Sequence, residues 1–85
     1  MYYVYVLKND NGKLYVGYCA DLRRRIAEHQ RGTVPSTKSG KWELVYYEAY
    51  LAKEDAQRRE RRLKDGRAQY HLRERIQQSM VRGIK

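Results

Sequence analysis

Residues 15–29 read YVGYCADLRRRIAEH, a tyrosine-rich segment of strand character running directly into three arginines and a histidine. Several of these side chains can do chemistry. Tyr5 and Tyr15 carry phenols, whose pKa near 10 makes them usable bases at neutral pH only where nearby cations lower it. Arg25 carries a guanidinium that can clamp two phosphate oxygens at once. His29, four residues on, changes charge near neutral pH and can accept or return a proton. Downstream, Glu60 stands inside RRERR, an acid among four arginines. Each also has a plainer use. The tyrosines could pack a sheet, His29 could sit at the negative end of its helix, and Glu60 could pair with Lys64 one turn away. Nine tyrosines without one phenylalanine argue against packing as the whole account, because a purely apolar core has no need of so many hydroxyls.

The charge balance points the same way. Nineteen Lys and Arg against ten Asp and Glu give a formal net charge of +9 over 85 residues. That is more than solubility asks of a small domain, and it repels itself, so a polyanionic partner is expected, nucleic acid above all. An anionic membrane surface is the lesser option, because no helix pairs a basic face with a broad apolar one. The longest apolar run, residues 1–7, is far short of the roughly 20 residues that span a bilayer. No basic-then-apolar leader is evident, and the single cysteine, Cys19, has no partner for an internal disulfide, so a cytoplasmic protein is expected. Cys19 has no second thiol or histidine at ligand spacing and reads as a bystander.

The elements that must position these groups follow from pattern. Residues 2–8 and 13–18 read as strands joined by the turn residues Asn9-Asp10-Asn11-Gly12, a hairpin. Alternation puts Tyr3, Tyr5 and Leu7 on one face of the first strand, and Tyr15 with Gly17 on one face of the second. Asp21 is placed to cap a helix reaching about residue 31, with Leu22 and Ile26 as its apolar stripe and Arg25 and His29 one turn apart. Residues 32–41, GTVPSTKSGK, form a polar, basic loop. Residues 42–50 make a third strand, and residues 52–64 a helix with Glu54 and Asp55 in its first turn. A last helix over about 68–80 repeats apolar residues four apart: Ala68, Leu72, Ile76 and Met80. The expected fold is one α/β domain over residues 1–85, a three-stranded, mainly antiparallel sheet in the order β-β-α-β-α-α, with a core of about 2–67.

This arrangement resembles the GIY-YIG nuclease superfamily. Tyr3-Val4-Tyr5 is similar to the family's first motif and Tyr15-Val16-Gly17 to its second, with nine residues between Tyr5 and Tyr15. Arg25 and His29 match the arginine and the histidine four residues on that often follow. Ala56-Gln57-Arg58-Arg59-Glu60, with Lys64 a turn later, resembles the family's Ala-x-x-x-Glu helix motif. The likeness covers residues 2–67 and is strongest to short, single-domain bacterial members, which are similar to the N-terminal incision domain of the DNA-repair excinuclease. Tyr3 stands where the family name calls for Gly, and no Asn follows Glu60.

The resemblance implies a metal-dependent endonuclease that hydrolyses DNA phosphodiesters, selective for structure rather than sequence. It implies catalytic roles for Tyr5, Tyr15, Arg25 and His29, with Tyr5 activating a water. It makes Glu60 the ligand of one Mg²⁺ or Mn²⁺ ion, bound weakly until substrate phosphates complete its oxygen shell. Arg23, Arg24, Lys38, Lys41, Arg58 and Arg61 are the expected phosphate contacts. No small-molecule cofactor or membrane partner is expected, and oligomeric state is left open. The rival readings are a non-catalytic nucleic-acid-binding module on the same fold and a basic RNA-binding protein.

Overall fold

Asn9 builds the turn between the first two strands. Its Oδ1 accepts from the backbone N–H groups of Asn11 (3.0 Å) and Lys13 (2.9 Å), and Gly12 supplies the required positive φ of 80°. The turn folds β1 (Tyr2–Asn9) onto β2 (Leu14–Cys19), and β3 (Trp42–Tyr50) adds to the other side of β1. The sheet order is β2-β1-β3 and both pairings are antiparallel. This computed structural model describes residues 1–37 and 40–82.

The helices are α1 (Leu22–Gln30), α2 (Lys53–Leu63), α3 (Gly66–Arg75) and α4 (Gln77–Arg82), with a short 3-10 turn at Pro35–Thr37 before β3. Asp21 caps α1 as its position suggests, accepting from the backbone N–H of Arg24 at 3.1 Å. β1 is central and covered on both sides, so Val4 to Leu7 are all buried. Val4, Val6, Leu14 and Val16 meet Ala56 and Leu63 of α2 and Leu72 and Ile76 behind them. Tyr5, Leu7, Cys19 and Leu44 make a second cluster on the opposite face, closed by Tyr15, Trp42 and the Leu22–Ile26 stripe of α1. Among the described residues no helix is long and apolar enough to cross a membrane.

Two departures from the sequence pattern have physical causes. Residues 68–80 are two helices, broken at Ile76 (φ −113°, ψ 28°). A four-residue apolar repeat drifts about 40° per step on a straight helix, at about 100° per residue. The break at Ile76 turns the chain so that Leu72, Ile76 and Met80 all reach the α2-side core. The second departure is a bulge in β3: Val6 pairs with Tyr46 but Leu7 pairs with Leu44. The extra residue, Val45, stays in the α2-side core, while Leu44 and Trp42 turn to the α1 face.

A polar clamp fixes α2 on the sheet. Arg59 Nε donates to Glu48 Oε1 at 2.9 Å and Arg59 Nη2 to Glu48 Oε2 at 3.0 Å, while the hydroxyls of Tyr46 and Tyr50 donate to the same carboxylate. Burial alone would raise the Glu48 pKa, but Arg59 and the two phenols outweigh it and hold the carboxyl below its usual range.

Candidate active site

Tyr5 is 1% exposed, and its ring crosses Gly17, its cross-strand partner on edge strand β2. A Cβ at position 17 would lie 2.3 Å from both Cζ and Oη of Tyr5. Glycine is needed there for this close approach and not for an unusual backbone angle. The crossing carries the Tyr5 hydroxyl from the middle of the sheet toward the β2 side.

There the hydroxyl meets α1. Tyr5 Oη lies 2.7 Å from His29 Nε2, and Arg25 Nε donates to Oη at 3.4 Å. His29 Nδ1 lies 2.6 Å from Thr37 Oγ1. Either neutral tautomer satisfies both contacts. With the hydrogen on Nδ1, the Tyr5 hydroxyl donates to Nε2 and His29 donates to Thr37, and with it on Nε2 both directions reverse. The first leaves Nε2 able to take the Tyr5 proton. Tyr15 closes the group, its ring centroid 5.2 Å from that of His29 and 6.3 Å from that of Tyr5. The bulge-turned Trp42 packs edge-on against Tyr15 from the other side at 6.3 Å.

Burial sets the electrostatics of this group. It pushes the Tyr5 phenol up to about 12, and the hydrogen bond from Arg25 offsets only part of that rise. Burial also lowers the His29 pKa, reinforced by the Arg25 charge and opposed by Glu28, so the imidazole is neutral at pH 7. Arg25 does not lower the phenol below its ordinary value in the free protein. A neutral imidazole therefore stands against the Tyr5 hydroxyl. Arg25 also pairs with Glu28 Oε1 at 3.1 Å, which offsets part of its charge. Burial pushes the Cys19 thiol up to about 11, which leaves it protonated and unreactive at neutral pH.

Glu60 stands apart from this cluster. It is on α2, which covers the face of the sheet opposite to α1. Its side chain is 23% exposed, and Lys64 Nζ lies 3.6 Å from Oε2. Ala56 and Leu63 turn inward, and at about 100° per residue Arg59 and Glu60 fall on opposite flanks of that inward stripe. Arg59 reaches Glu48 on β3, while Glu60, on the other flank, pairs with Lys64 on its own helix. Among the described residues no hydrogen bond joins Glu60 to Tyr5 or Tyr15, and no group of three or more His, Cys, Asp or Glu gathers as a ready metal site.

The expected phosphate contacts spread over both faces. Arg23 and Arg24 are exposed on α1, with Arg24 Nε 3.5 Å from Glu28 Oε2. Lys41 is exposed at the foot of β3, and Lys38 lies outside the described residues. Arg58 and Arg61 are exposed on α2, Arg58 pairing with Asp55 at 3.4 Å.

Thr37 is the member of the group that spacing does not reveal. It is 1% exposed and comes from the 3-10 turn of a loop whose composition reads as polar and basic. The signal available was a hydroxyl in a loop that must pass the end of α1, and serines and threonines nearby carry the same signal.

A family model described as GIY-YIG catalytic domain matches residues 1–77. A UPF0213 protein of Staphylococcus aureus is 38% identical over 74 residues, covering 85% of this chain and 90% of that protein. A UPF0213 protein of Halobacterium salinarum is 38% identical over 66 residues, covering 75% of this chain and 86% of its own length. The solution NMR structure of the UPF0213 protein of Bacillus halodurans superposes with a TM-score of 0.55 at 35% identity, covering 85% of this chain and 82% of that one.

Proposed function

Because the chain belongs to the GIY-YIG catalytic-domain family, we propose that it is a divalent-metal-dependent endonuclease hydrolysing DNA phosphodiester bonds, selective for structure over sequence. Membership of this nuclease superfamily makes a nucleic acid the substrate. The observation that carries the reading is the chain Arg25–Tyr5–His29–Thr37, a hydrogen-bonded proton path with a guanidinium at its head.

In this reading Tyr5 takes a proton from the attacking water as its own proton passes to His29 Nε2. His29 becomes imidazolium, its Nδ1–H still held by Thr37. Arg25 stabilises negative charge on the Tyr5 oxygen and, released from Glu28, clamps a phosphate oxygen. Tyr15 orients the water or the phosphate from its place against His29. The hydroxide attacks phosphorus as the P–O bond to the leaving oxygen breaks, and a solvent water protonates that oxygen. The His29 proton returns through Tyr5 to the hydroxide so formed, which resets the site.

A single half-buried carboxylate such as Glu60 fits Mg²⁺ or Mn²⁺, since such ions are commonly held by one or two carboxylates plus waters and substrate phosphates. When bound, the ion would neutralise phosphoryl charge and steady the leaving oxygen.

The second reading is a nucleic-acid-binding module without turnover, and the burial of Tyr5 with its pKa near 12 favours it. One experiment separates the two. Native protein and Glu60→Ala are incubated with supercoiled, single-stranded and branched DNA and with RNA, each with and without Mg²⁺ or Mn²⁺. The nuclease reading expects metal-dependent product from the native protein, and none from Glu60→Ala although it still binds. Metal-dependent cutting that survives Glu60→Ala refutes the assigned site, and salt-sensitive binding without product on every substrate establishes the module.

A further inference from the structure

Behind the sheet, between α2 and α3, lies an open cleft of about 550 Å³ whose walls carry Arg61, Arg62, Arg67 and His71. Arg58 and Arg59 also line it, but Asp55 and Glu48 neutralise them. The one carboxylate in the cleft is Asp65, which caps α3 by accepting from the Arg67 backbone N–H at 2.8 Å. Arg61, Arg62 and Arg67 are exposed and have no ion-pair partner among the described residues. Three uncompensated guanidiniums around one concavity, in a chain of net charge +9, make a site of strongly positive potential. The fork of each guanidinium matches the oxygens of a phosphodiester.

The position of the cleft narrows its occupant. It lies on the α2 side of the sheet, whereas Tyr5, Arg25 and His29 lie on the α1 side. A duplex is stiff over about 150 base pairs, so a straight one resting against the tyrosine side, even where it reaches the half-buried Glu60, does not bend round to the outward cleft between α2 and α3. We propose that the α2–α3 cleft holds the phosphate backbone of a second nucleic-acid segment, either another arm of a branched molecule or a separate duplex, while the first occupies the tyrosine side. The proposal rests on the nucleic-acid reading above and gives its selectivity for structure a physical source: two phosphate-binding surfaces on opposite sides of one sheet reward substrates that present two backbones.

The test is duplex bridging. One duplex is immobilised, the full chain is added without divalent metal, and capture of a second, fluorescent duplex is measured. Binding to a single duplex is measured separately over a salt series. The native protein is expected to bridge. The double variant Arg62→Glu, Arg67→Glu is expected to lose bridging at least tenfold while still binding one duplex through the tyrosine side. Its salt slope on a four-way junction should be shallower by about 2, at roughly 0.9 per phosphate contact. The Lys versions of the same two positions keep the charge and should still bridge, and matching thermal melts confirm that all variants fold. Native protein that binds one duplex without capturing a second overturns the proposal, as does a Glu variant that bridges like the native chain. Because no cleavage is read, a failed bridge leaves the nuclease reading standing, and absence of any duplex binding removes both.

Discussion

Gly17→Ala is the smallest change that tests the geometry of the site. The added Cβ would meet Tyr5 Cζ and Oη at 2.3 Å, about 1 Å inside ordinary van der Waals contact. The ring has little room to retreat, since Tyr5 is buried and its hydroxyl is held by His29 and Arg25. Overpacking of this kind costs about 1–3 kcal/mol, and a 1 Å shift of Oη would forfeit at least one hydrogen bond worth about 1 kcal/mol. Replacing Gly by Ala returns about 0.4–1 kcal/mol through the unfolded chain, because Gly17 is not among the residues with positive φ. The net expectation is a loss of about 1–3.6 kcal/mol, or a fall in Tm of about 4–29 °C at roughly 4–8 °C per kcal/mol. Urea unfolding at pH 7.5 measures it, with an unchanged m-value as the two-state check. Tyr5→Leu removes the clashing atoms, so in the double variant the cost of Gly17→Ala should nearly vanish, giving a coupling of about 1–2 kcal/mol beyond the roughly 0.5 kcal/mol of independent sites. Gly17→Ala within 0.5 kcal/mol of native, or strict additivity with Tyr5→Leu, would refute the crossing of Tyr5 over Gly17.

Three further outcomes follow from the same contacts. Thr37→Val leaves Nδ1 of buried His29 without a hydrogen-bond partner and should cost about 1–3 kcal/mol, while Thr37→Ser should recover most of it in the same urea assay. The depressed pKa of His29 means that below about pH 6.5 the unfolded chain takes up a proton that the folded chain refuses, so stability falls as pH drops toward the folded pKa. His29→Gln should flatten that limb between pH 5.5 and 7, and an unchanged slope would place the titrating group elsewhere. Glu48→Gln sets an amide N–H₂ against three donors, Arg59 and two phenols, and should destabilise by about 1.5–3 kcal/mol, with a native-like Tm counting against the clamp.

The strands, the hairpin turn, the Asp21 cap and the α1 pair Arg25 and His29 were legible in the sequence because each rests on local rules. Alternation sorts Tyr5 from Val4 and Val6, the Asn-Gly turn sets the hairpin, and helical spacing stacks Arg25 on His29. What was not legible depends on contacts between distant segments. Thr37 enters the site only because its loop passes the end of α1, and nothing in GTVPSTKSGK distinguishes it from its neighbours. The bulge at Val45 reverses the alternation of β3 at its midpoint, so Trp42 and Leu44 face the tyrosines against the pattern that Tyr46, Glu48 and Tyr50 set up. The break at Ile76 was hidden by a four-residue repeat that mimics one continuous helix. The sequence could name Glu60, but only packing reveals that its helix lies on the far face from Arg25.

That last separation shapes the chemistry. A sheet with helices on both faces holds Glu60 of α2 and the Arg25–Tyr5–His29 group on opposite sides, with β2 as an edge strand beside the latter. Tyr5 reaches it by lying flat over a glycine, which spares the room a side chain at 17 would occupy. Arg59, committed to Glu48 on β3, fixes the rotation of α2 about its own axis and so sets Glu60 on the opposite flank of the helix. The half-buried Tyr46–Glu48–Tyr50–Arg59 clamp therefore does more than hold a helix down: it determines which flank of α2 Glu60 occupies. On the proposed nuclease reading, a substrate would have to reach a hydroxyl relay on one face and a carboxylate on the other. Arg25 and Glu60 would then exchange their intramolecular partners, Glu28 and Lys64, for the incoming charges.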